Sequence, residues 1–324
     1  MKVVKVSYKG GELWRGASPF PQQSPGGKGI WGDYQFVFSN DTGQYDYWVV
    51  VDEVMPRVET CKVSKRNTIF LTAEPPHISS YPVAFLNQFG TVATCHQSII
   101  SNPLVRANKV VSHPALAWFS NKTYDELTEM QDFPKTKLMS LITSTKDRQR
   151  YDFALAMKDH FGEDLDLMGR GIKPVTDKWD AHADYKYSIV LENRSCPDYF
   201  SEKLTDCYLA LSYPFYYGSD IGKYYPIGAF TKINIDDVDG SIKIISDTIS
   251  QKNHLELIRR QLLVARNWSL NQYSFFPTVV SIIEKHPRYF DEPRANVSNV
   301  TISDKWRFAK NAGMFLKKII SELR

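Results

Sequence analysis

The chain has 324 residues, of which 43% are hydrophobic and 23% charged, a globular composition that excludes a disordered or collagen-like polymer. Its length exceeds what one core supports, since domains run to about 100 to 200 residues, and so predicts two domains. The net charge of +4 is confined to the tail: residues 304–324 hold six Lys and Arg against two Asp and Glu, and the first 303 residues carry 34 of each sign. That balance excludes a general nucleic-acid surface and, with it, a nucleic-acid partner.

No apolar run approaches the roughly 20 residues of a membrane span, and MKVVKVSYKGG turns polar too soon for a signal peptide. The four cysteines, Cys61, Cys95, Cys196 and Cys207, lack CxxC or CxxH spacing and read as reduced thiols of a cytoplasmic protein.

In chain order, β-branched and aromatic runs predict strands over 3–8, 34–39, 47–52, 68–72 and 92–95, with a helix near 81–89. Between the first two strands lies GELWRGASPFPQQSPGGKG, a long surface loop. Its GGKG is not a phosphate loop, because the GxxxxGK[ST] spacing is absent. The strand over 68–72 places Glu74 just beyond its carboxyl end, ahead of two prolines. By itself a carboxylate there reads as a solvated loop acid. His77, His96 and His113 sit near other strand ends, each with a structural or solvated role as its plain reading.

The polar stretch 120–137 reads as a linker, which divides the chain into domains 1–135 and 136–303. A strand over 138–143 and a helix over 144–162 follow, the helix turning Tyr151, Leu155 and Phe161 inward. Lys146, Arg148 and Arg150 stand at its start. After a strand at 164–168 comes YKYSIVLENRSCPDYFSEKLTDCYLALSYPFYYG, a strand–helix–strand unit over 185–218. Its first strand is apolar on both faces, as in a helix-covered parallel sheet. Asp198 is the expected N-cap of a helix whose Tyr199, Leu204, Cys207, Tyr208 and Leu211 share an inner face. The helix start offers free N–H groups and a positive dipole end, and Lys203 adds a cation, so the loop suits a phosphate.

Of six N-x-S/T sequons, at Asn40, Asn121, Asn193, Asn267, Asn296 and Asn299, the third lies in that loop, where a glycan would block a ligand. They read as chance. Helices are expected over 241–250, 254–268 and 276–285. The basic amphipathic segment 304–324 is open to three roles: a core helix, one that crosses back to complete the first domain, or a peripheral membrane contact.

The residues of the 185–218 unit also resemble the donor-binding signature of glycosyltransferase family ten, the α-1,3/4-fucosyltransferases, in the bacterial form without a membrane anchor. Glu192, Asn193, Tyr199, Glu202, Lys203, Pro214 and Gly218 match at fixed spacing. Leu191 departs from the family's usual Phe, and Ser201 from its Thr. The resemblance implies an α/β fold of the GT-B type, with two facing Rossmann-like domains, the first binding acceptor and the second a nucleotide-sugar donor. It implies inverting transfer of L-fucose from GDP-fucose to a hydroxyl of an oligosaccharide or lipid-linked glycan. Asn193, Tyr199, Glu202 and Lys203 would bind the donor, Arg150 would contact its diphosphate, and Glu74, in Thr72-Ala73-Glu74 where the family has Thr-Gly-Glu, would be the catalytic base, with His113 the alternative.

Two Asp-x-Asp triplets, Asp164/Asp166 and Asp237/Asp239, raise a metal-dependent alternative. With Arg150, Lys203 and a helix start already supplying positive charge, neither a metal nor another cofactor is expected. Transfer of another GDP-linked 6-deoxy sugar, and an inactive nucleotide-sugar-binding protein, are the remaining alternatives. The expected location is the cytoplasm, including the inner membrane surface.

Overall fold

The computed structural model describes residues 1–8, 20–39, 41–54, 58–113, 118–130, 132 and 134–304. They fall into two compact units: 1–21 with 29–113 and 279–304, and 22–28 with 114–278. The expected helix over 304–324 lies, beyond Asp304, outside the described residues.

The first unit is built on β1 (Lys2–Tyr8), β2 (Ile30–Trp31), β3 (Tyr34–Val37), β4 (Tyr47–Val51), β5 (Val58–Val63), β6 (Thr68–Leu71), β7 (Thr91–Ala93) and β8 (Lys109–Val111). Seven of these form one sheet in the order β2-β3-β1-β4-β6-β7-β8, parallel except for the short β2–β3 pair. Val50, Phe70 and Val92 stand opposite one another across β4, β6 and β7. With Trp48 and with Phe85 and Leu86 of α1 (Val83–Leu86) they build the core on one face of the sheet.

The second unit carries β9 (Lys137–Ile142), β10 (Leu165–Met168), β11 (Tyr185–Leu191), β12 (Tyr213–Tyr217) and β13 (Thr231–Lys232), all parallel in the order β10-β9-β11-β12-β13. The fold is thus the expected α/β one, a Rossmann-like sheet in each unit. Six of the seven residues of β11 are buried, which agrees with the apolar run expected to be covered on both faces. Two small helices come earlier, α2 (Gln97–Ile100) in the first unit and α3 (Tyr124–Glu129) in the second. Around the second sheet run α4 (Arg148–Phe161), α5 (Glu202–Leu209), α6 (Val238–Ile249) and α7 (His254–Asn271). The sheet's order reverses at β9, so the crevice of an open α/β sheet is expected beyond the carboxyl ends of β9 and β11.

The chain passes back to the first unit within α8 (Phe275–Lys285), and β14 (Ser298–Ser303) pairs antiparallel with β5, Val300 opposite Cys61.

Several local expectations are corrected. The stretch 120–137 contains α3, whose Thr123 and Glu126 form a reciprocal capping box and whose Leu127 packs with Trp118, Leu209 and Leu270. The units therefore part between residues 113 and 114, ahead of that stretch. In α4 the buried face carries Phe153, Ala154 and Met157, whereas Leu155 is 44% exposed. Asp198 is not a helix cap: it has a left-handed backbone (φ 58°), and its carboxylate accepts from the Tyr224 hydroxyl at 2.7 Å and pairs with Lys223.

Candidate functional site

The cap of α5 is Ser201, whose hydroxyl accepts from the Lys203 N–H. What fixes Ser201 is Glu192, the first residue after β11. Its carboxylate, wholly buried, accepts the Ser201 N–H and the Ser201 hydroxyl at 2.7 Å each. The Glu192 N–H in turn donates to the Tyr217 carbonyl at 2.9 Å, which ties the loop to the end of β12. Gly218 is needed beside it, because a Cβ there would lie 2.2 Å from the Tyr216 hydroxyl and 2.9 Å from Glu192 Cγ.

Lys203 Nζ lies 3.0 Å from Glu202 Oε1 and 3.9 Å from Glu192 Oε2, and also donates to the Ser201 hydroxyl at 3.2 Å. Burial alone pushes the ammonium down, but the Glu202 and Glu192 carboxylates more than offset this and hold it above its ordinary value. For Glu202, burial raises the carboxyl and Lys203 brings it below the usual range. Glu192 is pushed up, chiefly by burial. The trio is a charge network in which one ammonium is shared by two carboxylates, Lys203 and Glu202 half-buried and Glu192 wholly so.

Arg150 belongs to the first turn of α4. That helix is capped by Asp147, which accepts the Arg150 N–H at 3.2 Å and pairs with its guanidinium, Nε to Oδ2, at 3.1 Å. Burial raises Asp147, and the Arg150 N–H and guanidinium together bring its carboxyl below the ordinary value. The guanidinium also donates to the Leu191 carbonyl at 3.3 Å, joining α4 to the exit of β11.

Of these groups Arg150, Glu202 and Lys203 line a cavity of about 260 Å³ in the second unit. It opens where the sheet order reverses: Ile142 ends β9 and Thr143 and Ser144 follow it, and Leu191 and Asn193 end and follow β11. Gly169 closes the side beyond β10. Its φ is 126° and a Cβ would sit 1.8 Å from the Thr143 carbonyl oxygen, so no other residue fits. A more open recess of about 540 Å³, with Lys146, Arg148 and Arg194 on its walls, shares Ser144 and Arg150 with the cavity. A cationic mouth at two helix starts, leading into a partly apolar cavity, is chemically a receptacle for a phosphorylated ligand with an uncharged body.

Of the residues expected from sequence, Arg150, Asn193, Glu202 and Lys203 come together in this cavity. Tyr199 does not line it. It is 3% exposed, and its carbonyl accepts from the Ser219 hydroxyl at 2.7 Å. Glu74 belongs to the first unit, beyond β6. Its loop is held by the backbone: the Ala73 N–H donates to Asp52 at 2.8 Å, and the Glu74 carbonyl lies 2.8 Å from His96 Nε2. His113 is 4% exposed.

Among the lining residues that went unnoticed in the sequence are Asp206, His182, Lys178 and Arg170. Asp206 carried a signal, an acid placed between Leu204 and Cys207 on a helix that is otherwise apolar inside. His182, whose Nδ1 lies 2.8 Å from the Ser188 hydroxyl, is lowered to about 3 by burial, and so stays neutral. Only the tertiary fold brings it here. Neither Asp-x-Asp triplet reaches the site. Asp166 accepts from Lys137 and Tyr185, Asp237 caps α6, and among the described residues no cluster of three or more His, Cys, Asp or Glu could hold a metal. No helix among them is long and apolar enough to cross a membrane.

No protein-family model matches the chain, and no curated protein matches it. Among solved structures it is similar to an α1,3-fucosyltransferase with GDP, at 16% identity and a TM-score of 0.48, over 90% of this chain and 93% of that one. A second, an α1,3-fucosyltransferase with GDP-fucose, gives 15% identity and a TM-score of 0.46 over 82% of each chain. A third, an α1,3-fucosyltransferase, gives 14% and 0.47 over 90% and 92%. At these scores the likeness assigns no activity, and the α/β layout rests on the strand pairing itself.

Proposed function

We propose that the chain is a fucosyltransferase of glycosyltransferase family ten, which moves L-fucose from GDP-fucose to a glycan hydroxyl with inversion and without a divalent metal. The observation that carries this reading is the Glu192–Ser201–Lys203 network, joined by Arg150, at two helix starts beyond the carboxyl ends of β9 and β11. Seven residues of the family's donor signature occur at its spacing, and four of the five residues expected to bind donor line one cavity.

In this reading the acceptor oxygen attacks the anomeric carbon as the bond to the diphosphate breaks on the opposite face. Lys203 and Arg150 take up the charge left on the diphosphate, since the first N–H groups of α5 are already engaged by Glu192 and Ser201, and Glu202 accepts from the ribose hydroxyls. Glu74 receives the acceptor proton. The acceptor is an oligosaccharide or lipid-linked glycan. The protein's own cations do the work that a bound metal does elsewhere. Calorimetry with GDP and GDP-fucose in EDTA is the test: both are expected to bind, and affinity that vanishes in EDTA and returns with Mn²⁺ would sink the metal-free mechanism.

A further inference from the structure

Asp206 is the most buried charged group of the cavity, only 2% exposed. It lies three and four residues beyond Lys203 and Glu202 on α5, an advance of roughly 5 to 6 Å along the helix. One carboxylate oxygen, Oδ1, accepts the N–H groups of Phe119 at 2.9 Å and Ser120 at 3.1 Å. The other takes no hydrogen bond from the described residues, and no cation among them pairs with it. His182, held neutral by its burial, brings no charge to answer it.

A carboxylate oxygen that a ligand cuts off from water is costly without a donor, so the ligand part that covers this one must bring N–H groups. A phosphate is repelled there and belongs at the mouth, with Arg150 and Lys203. The other end of a nucleotide is its base. Guanine alone of the common bases offers two adjacent donors, N1–H and the exocyclic N2 amine. Adenine and cytosine place a ring acceptor beside their amine, and uracil flanks its single N–H with carbonyls, all of which a carboxylate disfavours.

We infer that Asp206 reads the base of the bound nucleotide, its second oxygen accepting from the N1–H and N2–H edge of guanine, and so makes the cavity selective for guanine nucleotides. This rests on the nucleotide-sugar reading of the site and adds to it the residue that sets base specificity.

The experiment is calorimetry of the full chain with GDP, IDP and XDP, on the parent and on Asp206→Asn. Inosine lacks the N2 amine, so the parent is expected to bind IDP roughly 10-fold more weakly than GDP, the worth of one hydrogen bond to a charged group. Xanthine puts a carbonyl where that amine was, and XDP should bind the parent most weakly. Asp206→Asn keeps an oxygen for Phe119 and Ser120 but turns an amide N–H toward the base. It should lose GDP by roughly 10- to 100-fold and gain XDP. Equal binding of GDP and IDP by the parent overturns the base reading and leaves the proposed function standing. So does an Asp206→Asn protein that loses all three ligands by one common factor. A parent that binds none of the three overturns both.

Discussion

Glu192 and Ser201 are joined twice, the buried carboxylate taking both the backbone N–H and the hydroxyl of the residue that caps α5. One serine thus sets the helix start and satisfies a buried acid. Ser201→Ala removes the cap and one of the two donors, and is expected to cost about 1 to 3 kcal/mol. Urea unfolding measures this, and Ser201→Thr should recover most of the loss. An alanine variant as stable as the parent would show that the pairing contributes nothing.

Lys203 and Arg150 are expected to hold the diphosphate. Lys203→Ala and Arg150→Ala should each weaken GDP binding by roughly 1.5 to 3 kcal/mol, the range for hydrogen bonds to charged partners. Glu202→Ala should weaken it as well. Unchanged GDP affinity in all three variants, with circular dichroism of the parent, removes the nucleotide from this cavity.

Asp206 and His182 line the same cavity and act on stability with opposite signs. Burial raises Asp206 to about 7, with Glu202 adding to the rise and Lys178 opposing it, while burial, Lys135 and Lys178 lower His182 to about 3. A carboxyl raised on folding costs stability progressively as pH climbs from about 4 to about 7. An imidazole depressed on folding withdraws its contribution as pH falls from about 6.5 toward 3. Between about pH 4 and 6.5 the two slopes oppose each other, each limited to about 1.4 kcal/mol per pH unit. Asp206→Asn removes only the first. Its stability relative to the parent should grow by about 1 kcal/mol per unit as pH rises through that window. A stability difference that stays constant with pH, by urea unfolding, contradicts the assignment.

Glu74→Gln tests the proposed base. The amide keeps the size and hydrogen bonding of the acid but not its basicity, and loss of a general base typically lowers turnover by about 10² to 10⁴. GDP-fucose should bind the variant nearly as well as the parent. Full turnover in Glu74→Gln, together with its loss in His113→Ala, would move the role to the histidine.

The second sheet and the gathering of four of the five expected site residues in one cavity were legible because parallel strands covered by helices are apolar along their whole length and because ligand loops keep fixed spacing. The first unit was less so. Its β5 reads as no strand, since the inward positions are Glu59, Cys61 and Val63, and Glu59 is inside only because it meets the equally buried Lys5 at 2.8 Å. Period-two reasoning counts that acid as outward. The partner of β5, β14, lies more than 230 residues away, a pairing no local window contains. In α3 a single buried leucine gave no periodicity, although the Thr123–Glu126 box was there to be read.

The pairing of β5 with β14 also bears on synthesis. Because residues 279–304 belong to the first unit, a ribosome releases the whole of residues 114–278 before that unit's fold can close. The middle of the chain is therefore free to fold first, while β5 waits as an unpaired edge bearing the hydrogen-bonding groups by which strands of different molecules adhere. A premature stop before residue 298 leaves that edge permanently open, so nascent chains cut short there are expected to fail by clumping, with the cavity of the second unit already formed.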